Sequence, residues 1–210
     1  EKDVPSKDDP NVVYLEPGLY DAGVIPLTSG QTLYLSGGAY VYGSVRTEVM
    51  DNITIRGRGI ISGEIYTRTN QSDVTVPFEF RSGKNLTMEG IIILDPAGWA
   101  TAIYNMDGVT IDNLKIISSR PNGDGISLQG SNNVKMTGGF VRTWDDSLVV
   151  KNNDGHTTEN ILFDGVILWT DLAQSMEVGF ETNGAFIRNV EFRNITVVQN
   201  FHKAVISLHN

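Results

Sequence analysis

The sequence contains no cysteine, so neither a disulfide nor a thiolate-bound metal is part of this protein. Its three histidines, His156, His202 and His209, are too few and too dispersed for a histidine-rich metal site. No apolar run approaches the roughly 20 residues that span a bilayer, and the stretch Glu1-Lys2-Asp3-Val4-Pro5 is not a signal peptide. Basic residues are scarce and scattered: 16 Lys and Arg stand against 25 Asp and Glu, for a net charge of −9. A binder of polyphosphate needs a clustered basic face, so the balance argues against nucleic-acid and membrane partners. A helical period is also missing. What remains is a 210-residue chain, 40% hydrophobic, with enough apolar surface for one core and one domain. Its composition fits a secreted or periplasmic location.

In place of helical patterning the chain carries an internal repeat. A phrase of alternating apolar residues, opened by Asn or Gly, recurs as Asn52-Ile-Thr-Ile-Arg-Gly57, Asn85-Leu-Thr-Met-Glu-Gly90, Gly108-Val-Thr-Ile-Asp-Asn113, Asn133-Val-Lys-Met-Thr-Gly138, Asn160-Ile-Leu-Phe-Asp-Gly165 and Asn189-Val-Glu-Phe-Arg-Asn194. Successive copies start 33, 23, 25, 27 and 29 residues apart. Period-two alternation means strands with one buried face. A unit this short cannot bury that face alone and must stack on its neighbours. The pattern predicts an all-β fold, a right-handed parallel β-helix, with the repeated Asn forming a ladder between coils.

Residues 1–50 read as N-terminal strands and first coils or a cap, and residues 51–210 as the coils that carry a cleft. The polar stretch 66–76 reads as an excursion loop. The last residues, Ala204-Val-Ile-Ser-Leu-His-Asn210, stop inside a coil and would leave an open strand edge; the expectation is therefore a piece of a longer chain.

Aligning the coils by a third strand stacks Ile126 and Leu128 on Leu148 and Val150, then on Met176 and Val178, then on Ile206 and Leu208. Alternate residues (Ser127, Gln129, Val149, Lys151, Glu177, Ser207, His209) point outward. Just before these strands stand Asp124 in one coil and Asp145-Asp146 in the next, 22 residues on, which is one turn of the solenoid. Adjacent strand residues face opposite sides, so both members of the pair reach one cleft only where the backbone bends. Crowded carboxylates resist simultaneous ionisation. One protonated acid beside one ionised base is what glycoside hydrolysis requires, and inverting enzymes hold the two roughly 6.5–9.5 Å apart to admit water. A calcium site or solvated turn aspartates are the plainer alternatives.

Asn122-Gly-Asp124-Gly125 followed by Asp145-Asp146 resembles the active-site pattern of polygalacturonases and of the related dextranase and isopullulanase group, inverting hydrolases of the pectin-lyase-like superfamily. Gly37-Gly-Ala-Tyr-Val-Tyr-Gly43, Gly57-Arg-Gly-Ile-Ile-Ser-Gly63 and Met176-Glu-Val-Gly-Phe180 are similar to phrases of the dextranase group. The resemblance implies a hydrolase acting on a carbohydrate polymer or oligosaccharide, without cofactor or metal. It implies Asp145 or Asp146 as general acid, with Asp146 favoured for its nearness to the strand, and the other two aspartates holding the water. Departures are clear: Gly123 replaces Thr, Gln174 stands where a histidine is expected, and the Arg and Lys expected near 205–208 are missing. Those groups bind a uronate carboxylate, so a neutral sugar becomes the expected substrate.

Further candidates to contact sugar are Trp99 and Trp144 by stacking, Lys151 and Glu177 by hydrogen bonds or as a mutual ion pair, Asn122 and Gln174 at the motif, and Tyr104 and Glu79 in earlier coils. Rival readings on the same fold are a polysaccharide lyase or epimerase, which would need Ca²⁺ or a basic residue, and a non-catalytic carbohydrate-binding β-helix.

Overall fold

A computed structural model describes residues 3–68, 73–152 and 155–209, so residues 69–72 of the expected excursion loop lie outside it. Every strand pairing it contains is parallel. The chain winds as a parallel β-helix with three sheets, and each coil after the first adds a strand segment to all three. The first sheet is built from the Asn phrases, the second from the shorter stretches that follow them, and the third from the strands after the acidic turns. Strands of the first fifty residues join the stack directly: Val12–Leu15 pairs with Thr32–Leu35, which pairs with Ile53–Gly57. Two long strands, Ala39–Val49 and Phe78–Glu89, bend from one sheet into another.

The Asn positions explain how a coil turns its corner. Asn52, Asn85, Asn133, Asn160 and Asn189 all have φ between 54° and 61°, a left-handed conformation that Asn tolerates better than most residues. Their amides bond from coil to coil: Asn85 to Asn52 at 2.9 Å, Asn160 to Asn133 at 3.0 Å and Asn189 to Asn160 at 3.0 Å. At the one copy that opens with glycine, Gly108 (φ 79°), the ladder is bridged by the preceding carboxylate, Asp107, which accepts from Asn133 at 2.6 Å.

Inward residues fill the lumen in columns. Leu33, Ile55, Met88, Ile111, Met136 and Phe163 are fully buried along the first sheet, and Phe163 stacks on Phe192 with centroids 5.3 Å apart. Each coil seals its neighbour by continuous strand pairing and apolar contact, which is what holds a solenoid together.

Candidate active site

The strands Thr101–Tyr104, Ile126–Gln129, Leu148–Lys151, Met176–Val178 and Ile206–Leu208 lie side by side in the third sheet. Ile126 is the register partner of Leu148 and Leu128 of Val150, and Ile126, Leu128, Leu148 and Val150 are fully buried, as the sequence alignment of coils predicts. The turns before these strands stack too. Ala100 N–H donates to the Asp124 carbonyl, and Gly125 N–H to that of Asp146, both at 2.8 Å. Asp124 therefore sits directly against Asp146 in the next coil.

Glycine makes this approach possible. A Cβ on Gly125 would come within 2.3 Å of the Ser147 carbonyl oxygen. At Gly123, where the resemblance would place Thr, a Cβ would lie 2.8 Å from the Arg120 carbonyl oxygen. Arg120 in turn clamps the turn from below, donating to the carbonyls of Gly63 (2.9 Å), Asp95 (3.1 Å) and Tyr66 (2.7 Å).

The bend needed at Asp145-Asp146 is present and has a visible cause. Thr143 Oγ1 lies 2.7 Å from the Asp145 carbonyl and 2.7 Å from Ser147 Oγ. The hydroxyl chain continues from Ser147 to Thr170 (2.7 Å) and on to Ser175 (2.9 Å), where the Asn200 amide also donates. This buried polar chain tethers the turn to the two following coils. None of its members was a candidate from the sequence, although Thr143 and Ser147 bracket the acidic pair.

Asp124, Asp145 and Asp146 line one cleft of about 140 Å³ together with Trp99, Asn122, Lys151, Phe180 and Glu181. Burial pushes the Asp124 carboxyl up to about 8, with Asp145 and Asp146 adding to the push and Lys151 opposing it. Burial also raises Asp146, to about 6; the Gln174 N–H that donates to its Oδ1 at 2.8 Å opposes the rise. Both carboxyls are thus held above the ordinary aspartate range, Asp124 further than Asp146. The difference is one of position: Asp124 is the more deeply buried carboxyl, and Asp146 accepts a backbone N–H from the next coil.

The other candidates divide. Trp99 and Asn122 line the cleft, and the Trp99 ring lies 5.1 Å from Lys151 Nζ. Gln174 lines an adjoining cavity of about 190 Å³ with Asp145, Asp146, Glu177, Phe180, Lys203 and His209. Trp144 is not among the residues lining either space; its carbonyl accepts Leu172 N–H at 2.9 Å.

Lys151 and Glu177 do not pair. Lys151 Nζ is held by Glu181 at 2.7 Å, whereas the fully buried Glu177 accepts Phe180 N–H at 3.2 Å and faces His209 at 3.5 Å. The register accounts for this: Glu177 aligns with Val149, two residues from Lys151 along the strand. Phe180 and Glu181 were not legible because they belong to a loop after the strand, with no repeat to place them. Among the described residues, no group of three or more His, Asp or Glu is arranged to hold a metal ion, and no helix is long and apolar enough to cross a membrane.

The family model described as glycosyl hydrolases family 28 matches residues 38–205. A probable polygalacturonase of Arabidopsis thaliana is 28% identical over 130 residues, 59% of this chain and 29% of its own length. An exopolygalacturonase of the same plant is 24% identical over 164 residues, 72% of this chain and 38% of its own length. The chain thus spans about a third of the length of these relatives. Among solved structures, a hyperthermoactive exopolygalacturonase from Thermotoga maritima aligns with a TM-score of 0.64 at 18% identity, covering 89% of this chain and 60% of that one. A polygalacturonase from Erwinia carotovora aligns at 0.53 and 11%, covering 95% and 87%. At such identities the likeness is one of fold.

Proposed function

The chain belongs to glycosyl hydrolase family 28, and on that premise we propose that it hydrolyses a glycosidic bond of a carbohydrate polymer or oligosaccharide, with inversion, through Asp124, Asp145 and Asp146. One observation carries the reading: three carboxyls from two coils line one cleft, with Asp124 raised to about 8 and Asp146 to about 6. Groups this strongly coupled titrate as a set, so near neutral pH the cleft holds a proton to give and an ionised carboxylate to receive one. The protonated carboxyl donates to the leaving glycosidic oxygen. An ionised one takes a proton from water as that water attacks the opposite face of the sugar. Trp99 and Phe180 flank the cleft and offer apolar faces to a ring, while Asn122 and Lys151 offer hydrogen-bond donors to its hydroxyls. No cofactor enters the scheme, and a polymeric substrate fits a secreted or periplasmic protein.

The likeness to polygalacturonases puts galacturonan first among substrates, and the phrases resembling dextranases put a neutral glucan second. The test is a single-turnover assay on galacturonan and dextran oligomers, with NMR of the first anomer released. An inverted anomer is expected; a retained one overturns the mechanism. Asp124→Asn and Asp146→Asn each lower kcat by about three orders of magnitude or more, and turnover that survives either change removes that residue from the scheme. Activated aryl glycosides identify the acid: only its variant keeps activity on a leaving group that needs no proton.

A further inference from the structure

The outward faces of the first and second sheets share one alternation and differ in chemistry. On the first sheet the outward columns are mainly polar. Thr54, Thr87, Thr110 and Lys135 are register partners on successive coils, and Arg56, Glu89, Asp112, Thr137, Asp164 and Arg193 run beside them. That is the pattern of a solvated face. On the second sheet the outward column is Tyr40, Ile60, Ile92, Lys115, Phe140 and Ile167, and Leu94, Ile117, Arg142 and Trp169 run beside it. The residues between, among them Ile61, Ile93, Ile116, Val141 and Leu168, are fully buried in the lumen, so the core does not require the outward set to be apolar. Ile117 and Ile167 are 36% and 41% exposed, and Ile60, Ile92, Leu94, Phe140 and Trp169 are half-buried. A parallel sheet that is apolar on both faces is normally covered on both.

The polar groups on this face are already engaged. The Tyr40 and Tyr42 hydroxyls both donate to Glu64, at 2.9 Å each, with the rings edge to face at 5.4 Å. Arg142 lies 5.3 Å from the Trp169 centroid and pairs with Asp171 at 3.3 Å, and Trp169 Nε1 donates to the same carboxylate at 2.8 Å. Lys115 Nζ donates to the Gly90 carbonyl at 3.4 Å, which leaves the methylene stem in the column. The face therefore offers fixed apolar area in preference to charge. Its dimensions select the occupant. Five coil steps from Tyr40 to Ile167, at about 4.8 Å each, give roughly 24 Å, and two columns two residues apart on a strand give a width of roughly 10 Å. A strip of about 250 Å² falls far short of the roughly 800 Å² per partner that a stable protein pair buries. Long, narrow and aromatic, it suits the C–H faces of sugars in an extended chain.

We propose that the outward face of the second sheet, centred on Ile92, Ile117, Phe140 and Trp169, is an adsorption site for an extended neutral polysaccharide, separate from the acid cleft. The strands Phe140–Thr143 and Ile167–Thr170 lead directly into the turns that carry Asp145, Asp146 and Gln174. A polymer held on the second sheet thus lies around one corner from the cleft, and keeps the protein at a solid surface between turnovers. That consequence rests on the hydrolase reading; the binding itself does not.

The experiment measures depletion of the protein from solution by microcrystalline cellulose, for the wild type, Phe140→Thr, Ile117→Lys and the first-sheet control Lys135→Thr. The wild type and the control should adsorb equally, and adsorption should persist in about 1 M NaCl, where ionic attraction is screened. Phe140→Thr and Ile117→Lys should each lower the partition coefficient about fivefold or more at the wild-type Tm. Soluble cellohexaose reads the same site without mutation, and should displace the wild type from the solid. A wild type that stays in solution, adsorption lost in salt, no displacement by cellohexaose, or folded variants that adsorb like the wild type overturns the site. A dimer that dissociates in Phe140→Thr overturns it in favour of a second copy. Adsorption without turnover of any oligomer overturns the hydrolase reading and leaves the strip standing; turnover without adsorption does the reverse.

Discussion

The proposed roles of Asp124 and Asp146 imply a pH dependence, because burial raises the two carboxyls to about 8 and about 6. For the free protein, kcat/KM should fall below about pH 6 as Asp146 takes up a proton, and above about pH 8 as Asp124 gives one up. A pH–rate profile checks both limbs, and a flat profile across that window would remove the pair from the chemistry. The same shifts act on stability with a definite sign. Both carboxyls have folded pKa values above the unfolded one near 3.8, so the folded state binds more protons between. Their stabilising effect is complete below about pH 4 and is lost as pH rises through about 6 and then about 8. Asp124→Asn removes most of that loss, since an amide carries no charge to desolvate. Its Tm should exceed that of wild type at pH 8, by an amount reflecting a few kcal/mol, and approach it at pH 4. Thermal melts at the two pH values decide this, and an Asp124→Asn Tm that tracks wild type at both defeats it.

Turns and strands carry the next layer of consequences. The Asn ladder does two jobs that mutation can separate. Asn160→Gly keeps easy access to the left-handed backbone and loses the two amide bonds to Asn133 and Asn189. Asn160→Ala loses both, and should be the more destabilising by about 1 kcal/mol in a urea melt, on top of roughly 1 kcal/mol for the bonds. The hydroxyl chain behind the acidic turn predicts a different signature. Ser147→Ala leaves Thr143 and Thr170 without their shared partner, which should lower kcat more than it raises KM, because the turn presenting Asp145 and Asp146 loosens while Trp99 and Asn122 stay in place. Steady-state kinetics on a length-matched oligomer test it; unchanged kcat would relegate the chain to folding alone.

Legibility follows from the same elements. The alternation in Asn133-Val-Lys-Met and its fellows encodes a strand of the first sheet. The register of Ile126 on Leu148 encodes the meeting of Asp124 with Asp146, because parallel pairing is a lattice in which one correct match fixes the rest. What stayed hidden lacks a period. Phe180 and Glu181 leave the lattice after Val178, so nothing in the spacing puts Glu181 on Lys151. Arg46 and Arg81 are visible as outward residues only once the long strands Ala39–Val49 and Phe78–Glu89 are seen to bend into the third sheet.

Across the whole molecule, stability is a chain of contacts between neighbouring coils. Phe163 is fully buried and stacks on Phe192 of the next coil. Phe163→Ala should cost about 3–5 kcal/mol through lost burial and a residual cavity. In a quasi-linear array that loss is felt first at the adjoining coils. Hydrogen exchange should therefore show protection falling around 133–138 and 189–193 before it falls around 32–35. Uniform loss along the axis would mean the stack unfolds as one unit.

The column through Tyr104, Gln129 and Lys151 gives the groove a fixed ruler. Each of these coils sets one side chain outward at this register, while the neighbouring Ile103, Leu128 and Val150 belong to the lumen. Recognition can accordingly be rewritten a single rung at a time, by exchanging the outward member and leaving the hydrophobic filling untouched. A family sharing this scaffold is free to diversify its menu of polymers without renegotiating how it folds.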